Sequence, residues 1–276
     1  MDTQECLRRG AIGAVGAVPG TVLAHPFDVL KIRMQTSPAT ARSLHAAAKA
    51  VYAAHGTSGF YRGLSAGVQQ KVLTRGPMFL ASEASTQICE LTMGMNRASA
   101  VFVGSLGSGY LTGSFAALAE WRKVLASSAT NGRRQERGGT VSLLRDAAAA
   151  QQLPSAFQRI HNAGCRNALF DVTFFSVSHV LINEGQAQDS MLGPAGCYAF
   201  AATAAVVSDY AVDVATKRSM AVPPRQAVPT LRNSVLRLIR NEGLLLFAGL
   251  SPKSLEFATS YFATGAISVY VLAKLA

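Results

Sequence analysis

Residues Pro26-Phe27-Asp28-Val29-Leu30-Lys31-Ile32-Arg33-Met34-Gln35 decide the fold. They close an apolar stretch that begins at Gly10 and holds no Asp, Glu, Lys or Arg before Asp28. At about 1.5 Å per residue, such a run comes close to spanning a bilayer's hydrocarbon core as a helix. Asp28 and Lys31, three residues apart, lie near one face of that helix. The arrangement recurs at a nearly fixed interval: Glu120 follows Asp28 by 92 residues, and Asp213 follows Glu120 by 93. Each of these acids ends another apolar run, Ala98 to Ala119 and Ser190 to Ser208, the latter extended through Asp209. Lys123 holds the place of Lys31 in the second copy; in the third that place is Thr216, with Lys217 and Arg218 just after it. A period this long, seen three times, is an internal repeat.

A second landmark fixes the register. Gly56 leads into Tyr61-Arg62-Gly63, and the counterparts are Phe157-Gln158-Arg159 and Phe247-Ala248-Gly249, the last preceded by Glu242-Gly243. The second copy has neither glycine. Three repeats of this length, each with an acid and a base ending an odd-numbered helix, resemble the mitochondrial carrier family. The first copy carries that family's signature in Pro26, Asp28, Lys31, Arg33, Gln35, Gly56, Tyr61, Arg62 and Gly63. The resemblance implies an all-α membrane protein of six transmembrane helices, in three pseudo-repeated helix pairs with short interfacial helices on the matrix side. The repeats are expected at 1–96, 97–186 and 187–276, together forming one transmembrane domain.

Composition agrees with a membrane protein. Charged residues make up 15% of the 276, against about 25% in an ordinary soluble chain. The formal charge is +11. The bases gather in connecting segments, Arg133, Arg134 and Arg137, or Arg225, Arg232, Arg237 and Arg240, as expected for a side facing anionic lipid headgroups. No nucleic-acid-binding module accompanies the charge, so no nucleic-acid partner is expected. Cys6, Cys89, Cys165 and Cys197 lack ligand-like spacing, which argues against structural zinc. The first residues have no signal-peptide layout.

Along the chain, spans are expected at about 9–34, 64–88, 98–123, 160–182, 191–218 and 250–275. Glycines at 10, 13, 16 and 20, and at 104, 107, 109 and 113, give the first and third spans nearly bare faces that let helices approach. Short amphipathic helices are expected at 43–55, 141–153 and 231–240, lying in the interface. Residues 129–139 read as a polar basic loop. Pro223, Pro224 and Pro229 stop the fifth span.

The register also locates a candidate site. Nine residues on from each aromatic landmark stand Gln70, Arg166 and Glu256. Three equivalent polar positions on three even helices should ring one level of a central cavity, because ionisable groups facing lipid are costly. In the carrier family this level corresponds to the substrate contacts. Arg166-Asn167 is similar to the arginine-plus-polar pair of keto-acid and other carboxylate carriers; Arg-Asn-Ala resembles the oxodicarboxylate carriers in particular. A guanidinium grips a carboxylate bidentately. Lys71 and Arg75 would bind a second carboxylate or bias the cavity toward anions. Glu256 departs from those carriers; it would pair with Arg166 in the empty cavity or receive the ammonium of an amino acid.

The odd-helix residues Asp28, Lys31, Glu120, Lys123 and Asp213 would form a matrix-side gate. By family geometry Asp28 pairs with Lys123, Asp213 with Lys31, and Glu120 faces Thr216, a rung completed by Lys217 or Arg218. On the opposite side Glu83 is the clear remnant of a second network, with His179 and Val269 in the equivalent places. No nucleophile–base pair, metal cluster or phosphate loop is recognised, so neither an enzyme nor a cofactor is expected. The resemblance implies a monomeric inner-membrane carrier for a small anionic carboxylate, embedded in lipid with cardiolipin as a candidate companion. The alternatives are an amino-acid carrier and a non-transporting scaffold or receptor of the same shape.

Overall fold

A computed structural model describes residues 3–36, 43–128, 140–181, 193–243, 247 and 249–260 of the chain. Arg133, Arg134 and Arg137, the 129–139 loop, Val269 and the sixth span beyond residue 260 lie outside the described residues. So do the side chains of residues 1–17, including Cys6, and that of Arg75.

Every regular element among the described residues is helical. In chain order they are α1 (Thr3–Thr36), α2 (Leu44–His55), a 3-10 turn (Thr57–Tyr61), α3 (Leu64–Met93), α4 (Arg97–Ser128), α5 (Thr140–Ala149), α6 (Leu153–His179), α7 (Gly193–Ala221), α8 (Leu231–Glu242) and α9 (250–260). Three of them, α2, α5 and α8, are the short helices read from the amphipathic pattern. The even helix α6 starts at Leu153, well before the expected 160, because Pro154 sits in its first turn, where a missing N–H costs nothing. Pro19 and Pro26 lie inside α1. Two helices, Arg97–Ser128 and Gly196–Ala221, are long and apolar enough to cross a membrane on hydropathy alone. The others fall short of that measure where they carry inward charge, Lys71 and Glu83 on α3, or Arg159, Arg166 and Asp171 on α6.

The long helices pack neighbour to neighbour, α1 on α3, α3 on α4, α4 on α6 and α6 on α7. Helix α9 sits between α7 and α1: Leu250 packs with Tyr210 of α7, and Gly20 of α1 abuts Ser260 so closely that a Cβ would stand 2.9 Å from its carbonyl oxygen. The bare glycine face of α4 is used on both sides. A Cβ on Gly104 would meet the Thr86 backbone nitrogen at 2.7 Å, and one on Gly113 would meet the Asn167 Cβ at 2.6 Å. Gly107, on the same helix, faces open space. Polarity is inverted relative to a water-soluble bundle. Acids and bases such as Asp28, Glu120 and Lys123 are buried, while Leu23, Leu111, Phe115 and Phe200 are exposed. Helices in hydrocarbon are expected to show this arrangement.

Three positions that correspond in the sequence make similar contacts at one end of the bundle. Gly63, at the start of α3, packs on Lys123 and Ala126 at the end of α4; its φ of +77° and the nearby carbonyl both favour glycine. Gly249, at the start of α9, packs on Gln35 at the end of α1. In the second repeat the same position is Arg159, and the contact is made by chemistry instead of absence. Its guanidinium donates to the carbonyls of Ser219, Val222, Pro223 and Gln226 at 3.0–3.4 Å, just past the last turn of α7. A cation there also opposes the negative end of the helix dipole. The other glycine missing from the second repeat is replaced by a backbone strain. Gly56 and Gly243 end α2 and α8 with φ of +64° and +51°, and after α5 the positive φ falls on Gln151, at 57°.

Candidate functional site

At the C-terminal ends of α1, α4 and α7 the repeat acids and bases converge. Asp28 pairs with Lys123 at 3.0 Å and with Lys31, one turn on, at 3.2 Å. Glu120 is held by Lys217 of α7 and by the guanidinium of Arg166. Asp213 accepts from Gln35 Nε2 at 3.1 Å, from Arg166 at 3.3 Å and from Lys253 at 3.3 Å. Thus α1 meets α4, and α4 meets α7, through direct ion pairs, whereas α7 meets α1 through an amide.

Lys31 is not the partner of Asp213 in this arrangement. It reaches Glu256 at 2.5 Å, because α9 inserts Lys253 and Glu256, one turn apart, between α7 and α1. Glu256 therefore does not pair with Arg166; its second partner is Lys71, at 3.1 Å. Lys71 is accordingly held by an acid, not left as a bare anion-binding base. Of the two residues named for the third rung, Lys217 completes it. Arg218 points away, donating to the Gln35 carbonyl at 2.7 Å and pairing with Glu242 of α8. Thr216 donates to the Asn162 carbonyl instead of facing Glu120.

Gln70, Arg166 and Glu256 all line one central cavity, of about 60 Å³. Each holds one of the converging acids or bases directly. Gln70 Oε1 accepts from Lys123 at 2.6 Å, Arg166 Nη2 donates to Glu120 at 2.9 Å, and Glu256 takes Lys31. Asn167 accepts from Arg166 Nε at 3.2 Å and lines the same cavity. Away from the gate the lining continues through Thr74, Met78, Phe170 and Asp171. Arg75 lies outside the described side chains.

Charge in this cavity is balanced. Among its described lining residues, Lys31, Lys71, Lys123, Arg166, Lys217 and Lys253 face Glu120, Asp171, Asp209, Asp213 and Glu256, with Asp28 adjoining. Among the described residues the bases and acids are nearly equal in number. Asp209 and Lys253 are the pair the repeat pattern does not mark. They sit 2.5 Å apart, and Asp209 stands one turn before Asp213, where no other repeat has an acid. Its only sequence signal is a carboxylate inside an otherwise apolar run.

At the other end of the bundle Glu83 pairs with Arg97 at 3.0 Å, and Arg97 also reaches Glu90 at 3.1 Å. This cluster joins α3 to the start of α4 on a partly exposed surface.

Residues 2–90 match the family model described as "Mitochondrial carrier protein". A stretch of 107 residues is 27% identical to the protein named "Mitochondrial ornithine transporter 1" of Rattus norvegicus, covering 38% of this chain and 36% of that one. The alignment thus spans little more than a third of that relative.

Proposed function

We propose, from the premise that the chain belongs to the mitochondrial carrier family, that it moves a small carboxylate-bearing solute across the mitochondrial inner membrane by alternating access. Its layout is six spans in three repeats, 1–96, 97–186 and 187–276. Within the carboxylates, the site favours an amino acid over a dicarboxylate.

One observation carries this reading: Arg166 and Glu256, which face the cavity, are themselves the partners of the gate. Arg166 grips Glu120 and Asp213, and Glu256 grips Lys31. A solute carboxylate that takes Arg166 loosens two acids of the odd helices, leaving Glu120 to Lys217 and Asp213 to Lys253. An ammonium that takes Glu256 loosens Lys31, leaving it to Asp28. An amino acid makes both exchanges. A dicarboxylate adds two negative charges with no free base to receive them among the described residues. Buried ion pairs of this kind contribute little net stability, because desolvation offsets their attraction. A few kcal/mol of differential binding is therefore enough to shift the closed state toward the open one. The relative named as an ornithine transporter supports an amino-acid substrate; the Arg166-Asn167 pair supports the carboxylate half of the reading.

Purified protein in liposomes tests it, with uptake of L-ornithine, neutral amino acids, di- and tricarboxylates and nucleotides measured side by side. Amino-acid uptake is expected, lost in Arg166→Ala and strongly reduced in Glu256→Gln. Dicarboxylate uptake that survives Glu256→Gln at the wild-type rate would return the site to an anion carrier. Normal amino-acid uptake by Arg166→Ala would remove the site altogether.

A further inference from the structure

A second, much tighter recess of about 10 Å³ adjoins the central cavity, separated from it by Lys71, Lys123 and Glu256, which line both. His25 of α1 forms its wall. The ring is 1% exposed. Nε2 lies 3.0 Å from the Arg62 carbonyl oxygen, which can only accept, so Nε2 carries the proton and Nδ1 presents a lone pair. That lone pair is buried and has no hydrogen-bond partner. It points at the bare Cα of Gly67, where a Cβ would stand 3.4 Å from Nδ1 and 3.4 Å from the Lys123 Cδ.

We propose that His25 is a proton-binding site, and that the carrier moves a proton together with its solute. The proposal rests on the carrier reading above. The groups that face the ring from each packed element are Asp28 on α1, Lys71 on α3, Lys123 on α4 and Glu256 on α9, with the Tyr61 ring 6.3 Å away on the linker. Two acids and two bases face the imidazole, and burial opposes its charging until Asp28 is free to stabilise it. Added at Nδ1, a proton makes His25 a third cation on Asp28, beside Lys123 at 3.0 Å and Lys31 at 3.2 Å. The attraction holding Lys123 to Asp28 is then shared, and like charge pushes Lys123 away. The rung between α1 and α4 weakens. When solute draws Glu256 off Lys31, the wall between the two cavities loses one of its three members, and His25 communicates with the solute's chamber. The proton enters from the solution on the cavity side and leaves at Nδ1 to the solution on the other side after the gate opens. Nε2 keeps its hydrogen throughout.

Two measurements test this. The first needs no transport: the protein labelled with ¹³C and ¹⁵N histidine is titrated in detergent, and His25→Gln assigns its signal among five histidines. A His25 ring that is protonated at Nε2 at about pH 8 and gains a second proton by about pH 5 is expected. A ring that keeps one state across that range overturns the proposal. The second uses proteoliposomes loaded with pyranine during uptake of radiolabelled L-ornithine. Wild type is expected to move protons with the amino acid, and in His25→Gln the proton signal falls to that of empty liposomes. Gln keeps an N–H for the Arg62 carbonyl but cannot titrate. Ornithine uptake without proton movement in wild type, or with undiminished proton movement in His25→Gln, overturns it. Absence of ornithine uptake beside a titrating His25 leaves the proton site standing and refutes the amino-acid reading for that probe.

Discussion

Replacing Arg159 by alanine removes the cap on the end of α7. The side chain is buried and donates to four carbonyls, those of Ser219, Val222, Pro223 and Gln226. Its guanidinium also lies 4.6 Å from the centre of the buried Trp121 ring. Among the described residues no carboxylate balances it, so its stabilisation is hydrogen bonding, the helix end and the aromatic face. A hydrogen bond to a charged group is worth about 1.5–3 kcal/mol, and a buried acceptor left unpaired costs about 1–3 kcal/mol. Two of the four bonds, at 3.0 and 3.1 Å, are near ideal length. If the two weaker acceptors recover water, the net loss is about 3–5 kcal/mol. For a chain of this size, about 1 kcal/mol moves the midpoint by about 2–4 °C, so thermal unfolding in detergent should drop by about 6–20 °C. Arg159→Lys keeps the charge with fewer donors and should fall between. Arg159→Gly, which restores the residue type of Gly63 and Gly249, should be as poor as alanine, because the α7 carbonyls stay uncapped. A glycine variant as stable as wild type would show that close approach, not capping, is what the repeats share at this position.

Two further contrasts follow from the packing and the gate. Gly113→Ala places a methyl 2.6 Å from the Asn167 Cβ and 2.8 Å from the Ala163 carbonyl, and should cost about 1–3 kcal/mol by overpacking. Gly107→Ala meets nothing within 4 Å and should gain about 0.5–1 kcal/mol of helix stability. The two midpoints read by scanning calorimetry should move in opposite directions; a shared sign refutes the α4–α6 contact. Lys217→Met strips a buried base from Glu120 and should lower the midpoint by several degrees, since breaking a buried pair costs about 3–5 kcal/mol and Arg166 recovers part of it. Arg218→Met loses a partly exposed pair with Glu242, worth about 0–1 kcal/mol, and one bond to the Gln35 carbonyl, and should lower the midpoint less than Lys217→Met. The reverse order would put Arg218 back in the gate.

The helical elements and the converging ions were legible because their determinants are local: an acid and a base on one helix face, a fixed count from an aromatic, a charge-free run before each acid. The positions of Gln70, Arg166 and Glu256 follow from the same counting, and they do face one cavity. Pairing was less legible, because partners depend on which side chain of a neighbouring helix arrives first. Lys217 outreaches Arg218 by one residue of helix rotation, about 100°. Lys31 turns to Glu256 because α9 brings a carboxylate closer than α7 does. Arg159 looked like an eroded motif; only contact with α7 reveals a substitution of capping for close packing. Asp209 carried no periodic signal at all.

These pairings make the convergence of α1, α4 and α7 asymmetric. Two of its seams, α1 to α4 and α4 to α7, are closed by ions bonded across the seam. At the third, Gln35 links α1 to α7 through its side-chain amide on Asp213 and its carbonyl on Arg218, and the paired charge is carried by Lys253 and Glu256 of α9. Each of those Gln35 bonds has one ion where the other seams have two, and so lacks the attraction of opposite charges. Glu256 is also a group that a solute ammonium would engage from the cavity. The seam closed least directly is therefore the one the solute reaches most directly. Separation of α1 from α7 should precede separation at the other two seams, and a spin-label pair across α1 and α7 should widen on adding L-ornithine while a pair across α4 and α7 widens less. Equal widening at all three seams would mean that the three repeats open together, and that the inserted pair on α9 has no directing role.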